Sequence, residues 1–205
     1  MKKTLLTLAV LLACVITMKG QTYATLWKQV KEAEQKDLPR SQYDLLMKIA
    51  SKAQKERQPG QLMKAELQGA RVMTEISPDS LLPAVERMEQ RMEAEKDVVL
   101  KTVYQVVLRR IYLDNSELER TPREIVLTPE LCKQLAEVKA ADFEPLTVNG
   151  VDSRLFDDDL LSVIGYELEQ YQPLRDYYEK AGNRHATFLT ALMVLRQQHP
   201  QGRVE

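Results

Sequence analysis

Between Ser41 and Ile76 two apolar-striped segments meet at the breaker Pro59-Gly60, and no other stretch limits the fold as tightly. Before the breaker, Tyr43, Leu46, Met47, Ala50 and Ala53 recur at steps of three and four residues. After it, Leu62, Ala65, Gly69, Val72 and Ile76 repeat the pattern. Apolar residues at that spacing line one face of a helix, because 3.6 residues complete a turn. Each face needs cover, so the two segments must pack on each other and on further helices. The unit is a helix hairpin. Several in succession predict an all-α chain of antiparallel hairpins stacked as a short solenoid or bundle, similar to tetratricopeptide (TPR) repeats.

Composition agrees with helix. Among 205 residues there are only 7 Gly, and Leu, Ala, Glu, Gln, Lys and Arg are abundant. The 29 basic and 30 acidic residues nearly cancel. No basic block is interleaved with aromatics, which argues against a nucleic-acid partner.

The N-terminus has the order of a secretory signal peptide: Met1-Lys2-Lys3, an apolar run from Thr4 to Met18, then Lys19-Gly20-Gln21. The run is shorter than the ~20 apolar residues a membrane-spanning helix needs. Residues 1–20 are therefore expected to be removed, placing the protein in the periplasm or at the outer membrane. Leu11-Leu12-Ala13-Cys14 offers a second route, lipidation of Cys14 and membrane attachment through it. The apolar run continues past Cys14 through Val15, Ile16 and Thr17, which favours cleavage after Gly20. Losing Lys2, Lys3 and Lys19 leaves 26 basic against 30 acidic residues, a net charge of −4. One cysteine, Cys132, then remains, so no internal disulfide is available and packing alone must hold the fold.

Residues 21–113 are expected to form an N-terminal region of helical hairpins. Its first helix runs from Tyr23 to about Lys36, with Tyr23, Leu26, Trp27, Val30 and Ala33 as its stripe. Trp27 is read as a core anchor against the next helix. Pro39 starts that helix. Ser77 or Asp79 is expected to cap a helix to about Glu95, with Met88 and Met92 as core filler and a charge-laced outer face. Asp97 to Leu113 is apolar over a wide arc, which predicts a central helix whose Tyr104 and Tyr112 need hydroxyl partners.

Residues 114–128 are read as a polar linker, and residues 129–200 as a C-terminal helical region followed by a frayed tail at 201–205. Thr128 caps a helix from Pro129 to about Ala141 that carries Cys132, read as a small buried hydrophobe. A loop-rich insertion covers about 142–158, with Leu146-Thr147-Val148 as a brief extended piece before the turn signal Asn149-Gly150. Three helices follow: Leu160 to about Gln170, Pro173 to Ala181 ending at Gly182-Asn183, and His185 to Gln198 with Phe188, Leu189, Leu192 and Leu195.

Chemistry is thin in these residues. Asp157-Asp158-Asp159 lacks the alternating ligands, Gly and distal Glu of a calcium loop, and reads as a helix cap. His185 and His199 lack the spacing of a zinc site. Neither a nucleophile–base pair nor a pair of acids is legible, so no catalytic residue, metal or cofactor is assigned and the chain is read as a non-enzyme.

Several stretches resemble the N-terminal helical region of the large alpha-2-macroglobulin family proteins of Bacteroidetes. They are Tyr23-Ala24-Thr25-Leu26-Trp27-Lys28-Gln29-Val30 with Lys36-Asp37-Leu38-Pro39-Arg40, then Asp157-Asp158-Asp159-Leu160-Leu161-Ser162-Val163-Ile164-Gly165, and Tyr177-Tyr178-Glu179-Lys180-Ala181-Gly182-Asn183-Arg184. In that family the helical segment precedes β-sandwich domains, a bait region and often a thioester module. The resemblance implies an exported role in trapping proteases. This chain has no Cys-x-Glu-Gln thioester sequence and no array of sandwich strands, so no functional residue of the family carries over. The expectation is an exported interaction domain, a truncated or stand-alone fragment without bait or thioester, with a protein partner, either the other domains of such an inhibitor or an envelope protein bound by an independent TPR-like adaptor.

Overall fold

The computed structural model describes residues 21–199. Cys14, the leader 1–20 and the tail 201–205 lie outside the described residues. Nine α-helices and no strand occur among the described residues: α1 (Tyr23–Gln35), α2 (Pro39–Glu56), α3 (Pro59–Ile76), α4 (Leu81–Ala94), α5 (Val98–Asp114), α6 (Pro129–Ala136), α7 (Leu160–Glu167), α8 (Tyr171–Ala181) and α9 (Arg184–Gln198). The chain is all-helical, as its periodicity predicts.

Local chemistry starts most of these helices where the sequence puts the signals. Thr22, Asp97, Thr128, Asp159 and Asn183 each cap a helix with a side-chain oxygen on an early backbone N–H. Pro39, Pro59 and Pro129 open the first turns of α2, α3 and α6, where a missing N–H costs nothing. The expected cap before α4 is different. Residues Pro78–Ser80 form a 3-10 turn, and neither Ser77 nor Asp79 caps α4, which begins at Leu81.

Helices α1 to α5 pack successively, α1 on α2, α2 on α3, α3 on α4 and α4 on α5, with α3 also touching α5. Two apolar clusters result. The smaller holds Leu26, Val30, Leu46, Ile49, Ala50, Ala53, Leu62, Ala65 and Val72, from α1, α2 and one side of α3. The larger begins with Met63 and Ala70 on the other side of α3 and runs through α4–α8 to Ala186 in α9. Helix α3 is thus a wall shared by both. Its Gly60, read as part of a breaker, has a further reason: a Cβ there would lie 2.1 Å from the Phe143 carbonyl oxygen. The turn Ala140–Phe143 sits against α3 at that point.

The segment 114–128, read as a polar linker, carries Ile125 and Leu127 into the larger cluster. Helix α6 stops at Ala136, short of the expected Ala141, and the chain continues into the Ala140–Phe143 turn. Leu146–Val148 is not a strand, and Gly150 keeps a negative φ. The one β-type pairing among the described residues joins Lys139 to Asp159.

Candidate functional site

A groove of about 750 Å³ lies along α4 and α5 and is crossed by the segment that follows α5. Helix α4 presents Glu86, Glu89 and Glu93 to it, three and four residues apart and so on one face. Met92 and Leu108 supply an apolar floor, and Arg109 and Tyr112 line the α5 side. Arg120 and Arg123 come from the crossing strap.

The strap is held differently at its two ends. Ile125 and Leu127 are buried, at 7% and 3% exposure, with Val126 between them turned outward. The Gln170 side chain completes this end: its amide donates to the Ile125 carbonyl and its oxygen accepts from the Leu127 N–H at 2.9 Å. Gln170 does for the strap what a neighbouring strand would do. At the other end Leu118 packs against the larger cluster and Asn115 donates to the Ile111 carbonyl, while the two arginine side chains are held by ion pairs. Arg120 Nε lies 3.6 Å from Glu89 and its Nη2 3.9 Å from Glu86, while Arg123 Nη1 lies 2.7 Å from Glu93. Lys101 Nζ stands 4.0 Å from the second oxygen of Glu93. Exposed pairs of this kind contribute roughly 0.2–1 kcal/mol each and weaken with salt.

Tyr112 ties the groove wall together. Its hydroxyl donates to Glu89 Oε1 at 2.6 Å. Burial, then that bond and the Glu89 charge, hold the phenol well above its ordinary range. The other tyrosine of α5, Tyr104, is buried beside Arg91 and Glu66. Arg91 Nη1 lies 2.9 Å from Glu66 Oε1, a charge contact joining α3 to α4 rather than a well-aligned hydrogen bond. Burial raises the Glu66 carboxyl above its ordinary range, against the pull of Arg91 and Arg87.

A second surface lies on α9. The apolar residues that mark this helix in the sequence split between two faces. Ala186, Thr190 and Val194 are buried, whereas Phe188 and Leu195 stand 64% and 53% exposed with Leu192 half-buried between them. Small side chains at 186 and 190 leave room for α8, against which α9 packs. An apolar stripe at positions 188, 192 and 195 is left facing outward.

The other residues singled out in the sequence have structural places. Asp159 is buried at 2% exposure, accepts the Ser162 N–H at 2.8 Å, and takes the Tyr178 hydroxyl on both oxygens at 2.9 and 2.8 Å. Asp157 accepts from the Asn183 amide at 3.0 Å, so the acidic triplet joins the start of α7 to the start of α9. Cys132 is buried, its thiol faces the Leu127 carbonyl at 3.9 Å, and burial pushes its pKa up to about 11. That environment suppresses the thiolate. Trp27 is half-buried and donates to Gln61 Oε1 at 2.6 Å, reaching α3 rather than only the neighbouring α2. Met88 and Met92 are buried core residues, though Met92 also floors the groove. His185 and His199 are exposed, and no group of three His, Cys, Asp or Glu residues suited to a metal occurs among the described residues.

Sequence reasoning missed Arg120, Arg123 and Gln170. The apolar run Ile125-Val126-Leu127 inside an otherwise polar segment was the available sign that the linker is anchored on the core. For Gln170 no local sign exists, because its partners lie more than 40 residues away. No family model, no curated protein and no solved structure matches the chain.

Proposed function

We propose that this chain is an exported helical interaction domain and works as the leading segment of an alpha-2-macroglobulin-like protease inhibitor. One observation carries the reading: the outward apolar stripe of Phe188, Leu192 and Leu195 on the last helix. A stripe of that length on an exposed helix marks a contact surface. The resemblance supplies its occupant, the β-sandwich domains that follow the helical segment in such proteins. On this reading the chain supplies docking, and the bait and thioester chemistry belongs to other parts of the assembly.

The test is photo-crosslinking in the native envelope from residues placed at 188 and 195, together with the N-terminal sequence of the mature protein. The expected result is an adduct with a sandwich-domain polypeptide and a mature start at Gln21, or a lipid-modified Cys14 in its place. Crosslinking that yields no adduct from either position would overturn the docking assignment, and a mature chain that keeps Met1 would overturn export.

A second reading, an independent TPR-like adaptor, draws support from the successive packing of α1 to α5. It predicts that neither position 188 nor position 195 yields an adduct with a sandwich-domain polypeptide.

A further inference from the structure

The groove along α4 and α5 is occupied by the chain's own arginines. We infer that it is a docking site for an extended segment of a partner polypeptide that carries two cationic side chains three residues apart, and that Arg120-Thr121-Pro122-Arg123 is the internal occupant such a segment displaces.

The spacing fits. A helix advances about 1.5 Å per residue, so the row from Glu86 to Glu93 spans roughly 10 Å, and three extended residues cover about the same distance. Arg120 therefore reaches the Glu86–Glu89 end of the row while Arg123 reaches Glu93. Pro122 favours the extended backbone in the residue before it. The groove is thus matched to cationic side chains three residues apart in an extended chain.

The internal occupant is also removable. Its two arginine side chains remain 42% and 66% exposed, and ion pairs alone hold them. The anchors on either side, the Asn115 side chain on the Ile111 carbonyl and Gln170 on Ile125 and Leu127, do not depend on those pairs. Lifting the middle of the strap uncovers three glutamates against Arg109 in the lining and Lys101 beside Glu93, a net charge of −1. Arg109 lines the groove, and its guanidinium is suited to the backbone carbonyls of a bound segment. Met92 and Leu108 offer apolar surface to the stems of the incoming cationic side chains.

The experiment uses the full chain and a fluorescent peptide with the sequence of residues 118–125. Anisotropy titrations compare the unaltered protein, R120S/R123S, and R120S/R123S carrying E89Q/E93Q; a peptide with both arginines replaced by alanine is the control. The expected result is binding to R120S/R123S at least about ten-fold tighter than to the unaltered protein. It should vanish with E89Q/E93Q or the alanine peptide, and weaken as ionic strength passes ~0.1 M, where the screening length is ~10 Å. Circular dichroism confirms that each variant keeps its helices. A folded R120S/R123S protein that binds no better than the unaltered one overturns the inference, as does binding indifferent to the glutamates. Because these sites lie on α4 and the strap, the outcome is separate from whatever docks on α9.

Discussion

Around α1 and α2 the apolar residues follow helical spacing almost unaided, whereas around α6, α7 and α8 the core closes only with polar help. The smaller cluster is aliphatic throughout its buried set, and the buried apolar positions of α1 and α2, 26, 30 and 33, then 46, 49, 50 and 53, keep helical steps. The larger cluster includes Phe143 and Phe156 from 3-10 turns, Ile125 and Leu127 from the strap, and a Tyr178 whose hydroxyl must be met by Asp159. Phe156 lies edge-on to Tyr166 and Tyr178, with ring centres 5.7 and 5.5 Å apart. Helices long enough to cover one another need little besides greasy seams. Short helices such as α6 and α7, eight residues each, leave more backbone ends to satisfy and recruit side chains for the purpose.

The contrast can be broken most forcefully at buried leucines. Leu160→Ala should lower stability by about 3–5 kcal/mol and reduce hydrogen-exchange protection across α3 to α9. Leu46→Ala should cost about 2–4 kcal/mol and expose the amides of α1 and α2 before those of α6 to α8. Uniform loss of protection in L46A would mean that the two cores melt as one.

Asp159 is the next lever. Asp159→Ala removes a helix cap and orphans the Tyr178 hydroxyl, for an expected loss of about 2–4 kcal/mol; Asp159→Asn keeps an acceptor and should cost about 1 kcal/mol. Burial is the main reason its carboxyl sits above the ordinary range, with the Ser162 and Tyr178 bonds opposing and the Asp157 charge adding. An acid raised in the folded state binds its proton more tightly there than in the unfolded chain. Its stabilising contribution is full below an unfolded pKa of about 3.9 and is lost as pH climbs through the folded value. Urea midpoints measured across that window should fall less steeply in D159N than in the unaltered protein. Glu66, raised the same way, adds to the slope that remains, and Glu56, lowered by its bonds to Lys52 and Tyr23, opposes it.

The smallest effect sharpens the comparison from the other side. Trp27→Phe deletes the bond to Gln61 and should cost about 1 kcal/mol in thermal unfolding followed by circular dichroism. A loss as large as that of D159A would show that the smaller core, too, leans on a polar tie.

Helix positions, most caps and the central place of α5 were legible because they rest on spacing within a few residues. The face of α9 was not. That helix carries apolar residues on several sides, so periodicity has more than one solution, and the choice falls to packing on α8, with Ala186, Thr190 and Val194 as the residues that end up buried. The exposed ends of α5 follow the same logic, with Val98 and Leu113 51% and 55% exposed where no helix reaches them. Within the groove the acidic row on α4 was visible but read as a solvent face. Its arginine partners lie on a segment whose route across α4 depends on Ile125, Leu127 and the distant Gln170.

Helix α3, with Leu62, Ala65 and Val72 on one side and Met63 and Ala70 on the other, has little freedom to yield. A tilt that relieves crowding against α4 and α5 presses it into α1 and α2, since protein interiors have no slack to absorb the movement. Whatever grips one end of the molecule therefore acts on a lever whose far arm moves the other.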